Sequence, residues 1–313
     1  MKTRVTRSPR VAASFIERGE VVAFPTETVY GLGASLFNED AIRKVFRAKG
    51  RPADNPLIAH VASREQILII ARKIPPIAEK LIEAFFPGPI TLVLPRHPSV
   101  PRIATAGLDT IGVRMPRHVV AQGLISHFGG PLAAPSANLS GRPSPTRWQD
   151  AKADLDGRIA CILKGDQTEV GLESTVVDCT GKGLVVLRAG AVTLEDLESV
   201  AGSVRVARHT PGKTPKSPGM KYRHYAPGAR VRIVDHPDEI QFRGATAYIG
   251  ITKVSGAKKF KRIRECDNLS EYARALFGFF RECDAAKVED IYCQKVPEEG
   301  LGRAIMDRVR RAG

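Results

Sequence analysis

The sequence predicts an α/β protein in two parts: an open, twisted mixed sheet with covering helices, then a second, small Rossmann-like α/β domain. Three observations lead there. Short apolar or β-branched runs alternate with helical patterns through the first two thirds of the chain. Composition shifts sharply after about Ala207, into a basic stretch rich in proline and glycine. The 313 residues also exceed what one core usually organises.

The first domain is expected over residues 1–208. Residues 21–24, 57–61, 90–94, 111–114, 159–163 and 174–178 read as strands, each short and bounded by Gly, Pro or polar residues. Between them, 39–48, 76–86 and 119–128 read as helices. Strand runs that are apolar throughout suit burial on both faces, under covering helices. Residues 209–228 hold Pro211, Pro215, Pro218 and Pro227, three glycines and no acid. They cannot build a regular helix or a core of their own, and read as an inter-domain linker. A passive linker, however, rarely carries Tyr222, His224 and Tyr225 within four residues. The second domain, 229–313, reads as strands 231–235, 245–250 and 291–296 with helices 268–285 and 301–310. Ala273, Leu276, Phe277 and Phe280 fall at i, i+3, i+4 and i+7, one apolar face.

Bulk properties narrow the function classes. A net charge of +15 draws anions: nucleic acid, nucleotides or acidic partners. The five cysteines are scattered, odd in number and without a C-x-x-C pair, which suits a reducing cytoplasm better than disulfides or a metal site. The seven histidines are dispersed, and no metal-binding motif is expected. No run approaches the roughly 20 apolar residues of a membrane span. The basic residues 1–10 lead into no long apolar segment, so no secretory signal is expected and the protein is read as cytoplasmic.

Several stretches carry candidate chemistry. In residues 24–33 a strand ends in a polar turn expected to expose Thr26, Glu27 and Thr28, while Gly31 and Gly33 let the backbone approach something closely. In 49–60, Lys49 and Arg51 stand two apart in a Gly/Pro-constrained loop, with Asn55 and His60 nearby. That pairing suits a polyphosphate, lysine as a point charge and arginine as a fork, or else a solvated basic turn. Arg114 interrupts an apolar strand, and a buried guanidinium needs a carboxylate, internal or from a ligand. Residues 133–146 are dense in small hydroxyl and amide side chains of the kind that meet phosphate oxygens. Residues 171–178 form a polar lead-in to a strand, and Arg188 closes another. No P-loop, nucleophile elbow or Cys–His pattern occurs, so nucleotide chemistry here would rest on positioning and charge.

In order, the stretches FPTETVYGLGA, KGRPADNPLIAHV, FFPGPITLVL, TIGVRMP, APSANLSGRPSPT, ESTVVD and LRAG resemble the YrdC family. The linker motif SPGMKYRHYAP, residues 217–227, and the domain after it resemble the long two-domain threonylcarbamoyl-AMP synthases. The likeness spans essentially the whole chain. It is looser after Ala229, where the second domain is shorter than usual.

The resemblance implies a YrdC-like fold and a reaction. Threonine and bicarbonate or CO2 form a carbamate, which attacks the α-phosphorus of ATP and releases pyrophosphate. Other proteins, the tRNA threonylcarbamoyl transferase machinery, then modify an adenosine in tRNA. By the same resemblance Thr28, His60, Arg114, Ala134 and Ser174 hold threonine, with Arg114 on its carboxylate. Arg51, Asn55, Thr110, Ser136, Asn138, Ser144, Arg188 and Tyr225 hold ATP. Lys49 and Arg51 are the candidates for stabilising charge at the attacked phosphate, and Mg²⁺ enters with the phosphates. The linker becomes a lid, with Tyr225 and His224 over the nucleotide. The competing reading is a basic module for tRNA or double-stranded RNA, whose binding would fall steeply with salt. Against it, only 6% of the residues are aromatic, too few for basic patches interleaved with exposed stacking rings.

Overall fold

The computed structural model describes residues 2–207, 225–242 and 244–313. The first domain runs β1 (Arg4–Thr6), α1 (Pro9–Glu17), β2 (Val22–Phe24), β3 (Gly31–Ser35), α2 (Glu39–Lys49), β4 (Ile58–His60), α3 (Arg64–Ile70), α4 (Pro76–Phe85), β5 (Ile90–Pro95), β6 (Thr110–Arg114), α5 (Val119–Phe128), β7 (Leu132–Ala134), α6 (Trp148–Leu155), β8 (Cys161–Leu163), β9 (Thr175–Asp178), β10 (Leu184–Arg188), α7 (Leu194–Ala201) and β11 (Val204–Val206). Its strands form one sheet ordered β1-β8-β2-β3-β7-β4-β6-β5-β9-β10-β11. Pairing is mixed: β4·β6 and β5·β9 are parallel, while β3·β7, β4·β7 and β5·β6 are antiparallel. Every residue of β2, β4, β5, β7, β8 and β9 is buried, as expected of strands covered on both faces.

The second domain contains β12 (Arg230–Val234), β13 (Thr246–Gly250), β14 (Arg262–Glu265), α8 (Leu269–Ala285), β15 (Asp290–Gln294) and α9 (Gly300–Ala312). Its four strands, ordered β12-β15-β13-β14, are all parallel. The apolar face read on α8 packs inward, and its core is continuous with Val29 and Leu172 of the first domain. Most of the expected linker, residues 209–224 with Tyr222 and His224, lies outside the described residues. Among the described residues no helix is long and apolar enough to cross a membrane.

The strands and helices read from sequence appear within about two residues at each end. One reading of the first motif is corrected. Thr26, Glu27 and Thr28 are buried, at 1%, 0% and 0% exposure, because their polar groups turn inward, Thr26 Oγ1 onto Val29 O and Glu27 and Thr28 onto Arg114. What Gly31 and Gly33 admit includes a neighbour in the same sheet. They lie on β3, antiparallel to β2, and a Cβ at either would sit 2.9 or 2.8 Å from the Phe24 ring.

Candidate active site

Helix α2 sets the first cation. Its N-terminus is capped by the Asn38 side chain, with Glu39 and Asp40 in the first turn, and Gly50 ends it in the left-handed conformation. Lys49 is therefore the last helical residue, and Arg51 begins the loop into β4. Strand β4 lies mid-sheet between β6 and β7, with His60 opposite Arg114 and Ile58 opposite Ala134. The antiparallel step from β3 to β7 adds Ser136, bridged to Gly31.

These elements enclose a cleft of about 560 Å³ including its open mouth. Thr28, Arg51, His60, Arg114, Ala134, Ser136, Ser174, Arg188 and Tyr225 all line it. Lys49, Asn55, Asn138 and Ser144 are buried but lie outside that lining. Thr110 starts β6, at the far end of the strand from Arg114, and does not line the cleft.

Arg114 finds an internal carboxylate. Its Nη2 stands 2.8 Å from Glu27 Oε1, and Nη1 donates to Thr28 Oγ1 at 2.8 Å. Among the described residues, Arg114 Nε and Nη2 and both Glu27 oxygens have no aligned hydrogen bond, so charge more than geometry joins the pair. Beside it, burial and then the Arg114 charge push the His60 imidazole down to about 3. The ring is thus neutral near pH 7. Its Nδ1 faces the Ile58 carbonyl at 3.2 Å, which can only accept, so Nδ1 carries the proton and Nε2 is left as an acceptor.

The other guanidiniums are anchored on carbonyls. Arg51 donates to the backbone oxygens of Asn55 (3.2 Å) and Pro56 (3.1 Å). Burial, with Arg188 nearby, lowers its pKa to about 10, still cationic at neutral pH. Arg188 donates to Ser174 O at 3.1 Å and Ser174 Oγ at 3.2 Å, and burial lowers its pKa as well. Ser174 Oγ in turn lies 2.7 Å from Thr91 Oγ1. Among the described residues, the lining carries three guanidiniums against the single Glu173 carboxylate, a balance that favours an anionic ligand.

Lys49 has a different posture from the one its motif suggests. Its Nζ donates to the backbone oxygens of Ser136 and Asn138, 2.5 Å each, and Lys49 is not part of the lining. Burial, then Arg51, drives its pKa well below the ordinary lysine value. Asn138 completes the loop from within: Nδ2 donates to the Leu139 and Arg142 oxygens at 2.8 Å, and Oδ1 accepts from Ser136 Oγ. Ser144 Oγ donates to Glu173 Oε1 at 2.5 Å. Tyr225 adopts a left-handed backbone (φ 67°), costly for a residue with a Cβ, and its ring is stacked on Phe277 at 5.1 Å. Glu27 stands in a stretch read as a polar turn and Glu173 in one read as a polar lead-in to a strand, but nothing local marked them as partners of the site's cations.

Two family models match. One, described as "Telomere recombination" and covering Sua5, YciO and YrdC proteins, spans residues 14–190. The other, the threonylcarbamoyl-AMP synthase C-terminal domain, spans 192–313. The chain belongs to the threonylcarbamoyl-AMP synthase family. The threonylcarbamoyl-AMP synthase of Pyrococcus abyssi is 46% identical over 316 residues, 97% of this chain and 93% of that one. That of Bacillus subtilis is 42% identical over 325 residues, covering 98% and 94%. A crystal structure of P. abyssi Sua5 complexed with L-threonine has a TM-score of 0.91 at 44% identity, covering 99% of this chain and 96% of that one. The family likeness therefore runs through both domains.

Proposed function

We propose that this threonylcarbamoyl-AMP synthase family member joins L-threonine, bicarbonate or CO2 and ATP in the cleft between Arg114 and Arg188. The observation that carries the reading is the division of the cleft. At one side, Arg114, Thr28 and neutral His60 stand together. At the other, Arg51 and Arg188 face the same space, their guanidiniums hydrogen-bonded to neutral oxygens.

Threonine's carboxylate would take Arg114, which lines the cleft. His60 Nε2 would accept from threonine's hydroxyl or amine, and Ala134 and Ser174 would complete the amino-acid side. The amine and bicarbonate give a carbamate with loss of water. A carbamate oxygen then bonds to the α-phosphorus of ATP, the bond from that phosphorus to the bridging oxygen breaks, and pyrophosphate leaves. Arg51 and Arg188 would hold the triphosphate and its developing charge, with Ser136, Asn138, Ser144, Asn55, Thr110 and Tyr225 around the nucleotide. Lys49 would act on the phosphate through the loop it holds. Mg²⁺ comes as part of the MgATP substrate. The product would pass, in the cytoplasm, to a transferase that modifies tRNA.

The test is pyrophosphate release by the purified protein, with threonine and bicarbonate omitted in turn. Release that requires both supports the synthase reaction. Release indifferent to both, or no release, would overturn it and return attention to RNA binding across a salt series.

A further inference from the structure

We infer that the second domain is a working part of the nucleotide side of the cleft, with Arg308 and Arg281 as positioning residues that hold it in place across the domain boundary. The inference rests on the nucleotide assignment proposed above.

Arg308, on α9, is fully buried. Its Nε donates to Glu173 Oε2 at 2.9 Å and its Nη2 to Ala189 O at 2.9 Å, and its guanidinium lies 5.5 Å from the Tyr225 ring centre. The other oxygen of Glu173 receives the Ser144 hydroxyl. One guanidinium thus fixes the partner of Ser144, the residue next to Arg188, and the ring of Tyr225. Burial opposes its charge, but Tyr225, Glu173 and Asp307 hold its pKa above the ordinary arginine value.

Arg281, on α8, works at the opposite flank of the same loop. Its Nη2 donates to Pro143 O at 2.5 Å and to Asp154 Oδ2 at 2.8 Å. Asp154, its carboxylate fully buried, also accepts from Leu139 N and from Arg142. The segment between Asn138 and Ser144 is therefore held by two cations that belong to the other domain. Docking alone does not call for them. The domains already share an apolar core, and Gly171 lets the chain lie against α8, where a Cβ would come 2.4 Å from Arg274 Cα. Buried ion pairs add little net stability over apolar packing. What a rigid fork adds is geometry.

The experiment measures pyrophosphate release by full-length Arg308→Met, Arg281→Met and Arg308→Lys, with ATP and threonine varied separately. Arg308→Met and Arg281→Met should each raise KM for ATP about tenfold or more, while KM for threonine moves less than about twofold. Arg308→Lys should recover only part, because an ammonium cannot serve both acceptors as a fork. Arg308→Met combined with Ser144→Ala should raise KM for ATP by less than the product of the two single effects, since both act through Glu173. Equal rises in both KM values, or a lowered melting temperature with KM for ATP unchanged, would reduce the arginines to docking contacts and overturn the inference. Where Arg308→Met fails to fold, Glu173→Gln carries the same comparison. Ser144→Ala and Arg188→Ala separate the two levels. If they leave KM for ATP untouched, the nucleotide assignment is at fault. If they raise it and the Arg308 and Arg281 variants do not, the inference is.

Discussion

Replacing Arg114 by alanine should damage threonine binding and the fold at once, and a second substitution should separate the two effects. Arg114 and Glu27 side chains are 5% and 1% exposed, with Nη2 and Oε1 2.8 Å apart. Removing one partner of a buried pair leaves the other charged and unsolvated, which costs about 3–5 kcal/mol. At about 2–4 °C per kcal/mol for a domain of this size, the melting temperature should fall by roughly 6–20 °C. Threonine affinity should fall about 10- to 100-fold, the worth of hydrogen bonds to a charged group. Glu27→Gln added to Arg114→Ala removes the stranded charge. The double variant should regain most of the stability and none of the threonine affinity. Thermal unfolding and titration calorimetry with L-threonine read the two quantities independently. Wild-type melting of Arg114→Ala would show that Glu27 does not depend on it. Wild-type threonine affinity in the double variant would remove Arg114 from the amino-acid site.

Arg51→Ala should lower turnover about 10²-fold or more, because its guanidinium lines the cleft, and should melt earlier too, because it frees the buried Asn55 and Pro56 carbonyls; pyrophosphate release at the wild-type rate would end that assignment. Lys49→Ala should lower turnover by a similar factor of about 10² but melt earlier too, since it frees the buried Ser136 and Asn138 carbonyls. The His60 pKa in the folded protein is about 3 against an ordinary 6.5. Between those values the unfolded chain takes up a proton that the folded one refuses. Stability therefore falls as pH drops through that window, by up to about 1.4 kcal/mol per pH unit from this group. Urea unfolding from about pH 7 down to about pH 4 should show a flatter dependence in His60→Gln, and an unchanged slope would rule out this origin. Gly33→Ala forces a Cβ to 2.8 Å from the Phe24 ring and should cost about 1–3 kcal/mol, partly recovered by Phe24→Leu. A wild-type urea midpoint in Gly33→Ala would show that the ring moves freely aside.

What the sequence disclosed depended on how local the physics was. Helix α5 is bounded by its own pattern and was read at its observed ends, 119–128. Strand β7 spans three residues between turn formers, too few for any periodicity, and β3 begins Gly-Leu-Gly, which reads as a turn. Nine site residues share a cleft although they come from distant segments, because each stretch had turn chemistry at a strand end. Partnerships were illegible. Lys49 in a basic loop gives no local sign that its ammonium faces carbonyls 87 and 89 positions away. Arg308 sits in a helix end that looks like a solvated basic tail, and its carboxylate partner is 135 positions upstream.

The choice of partners explains how a cationic cleft can fold by itself and still attract a polyanion. A guanidinium buried without a partner would cost several kcal/mol. Carboxylates at every cation would remove that cost but cancel the field. Arg51 and Arg188 avoid both outcomes by resting on backbone oxygens, which satisfy their donors and carry no net charge. Arg114 is treated differently, with a full carboxylate in Glu27 and the Thr28 hydroxyl on Nη1. The difference matches the proposed ligands. A triphosphate carries several charges and needs uncancelled field, whereas an amino acid brings one carboxylate and one amine, so a nearly neutral pair suffices. Glu173 fits the same logic: its charge is offset by Arg308 from outside the lining, so it can orient Ser144 without opposing the phosphates.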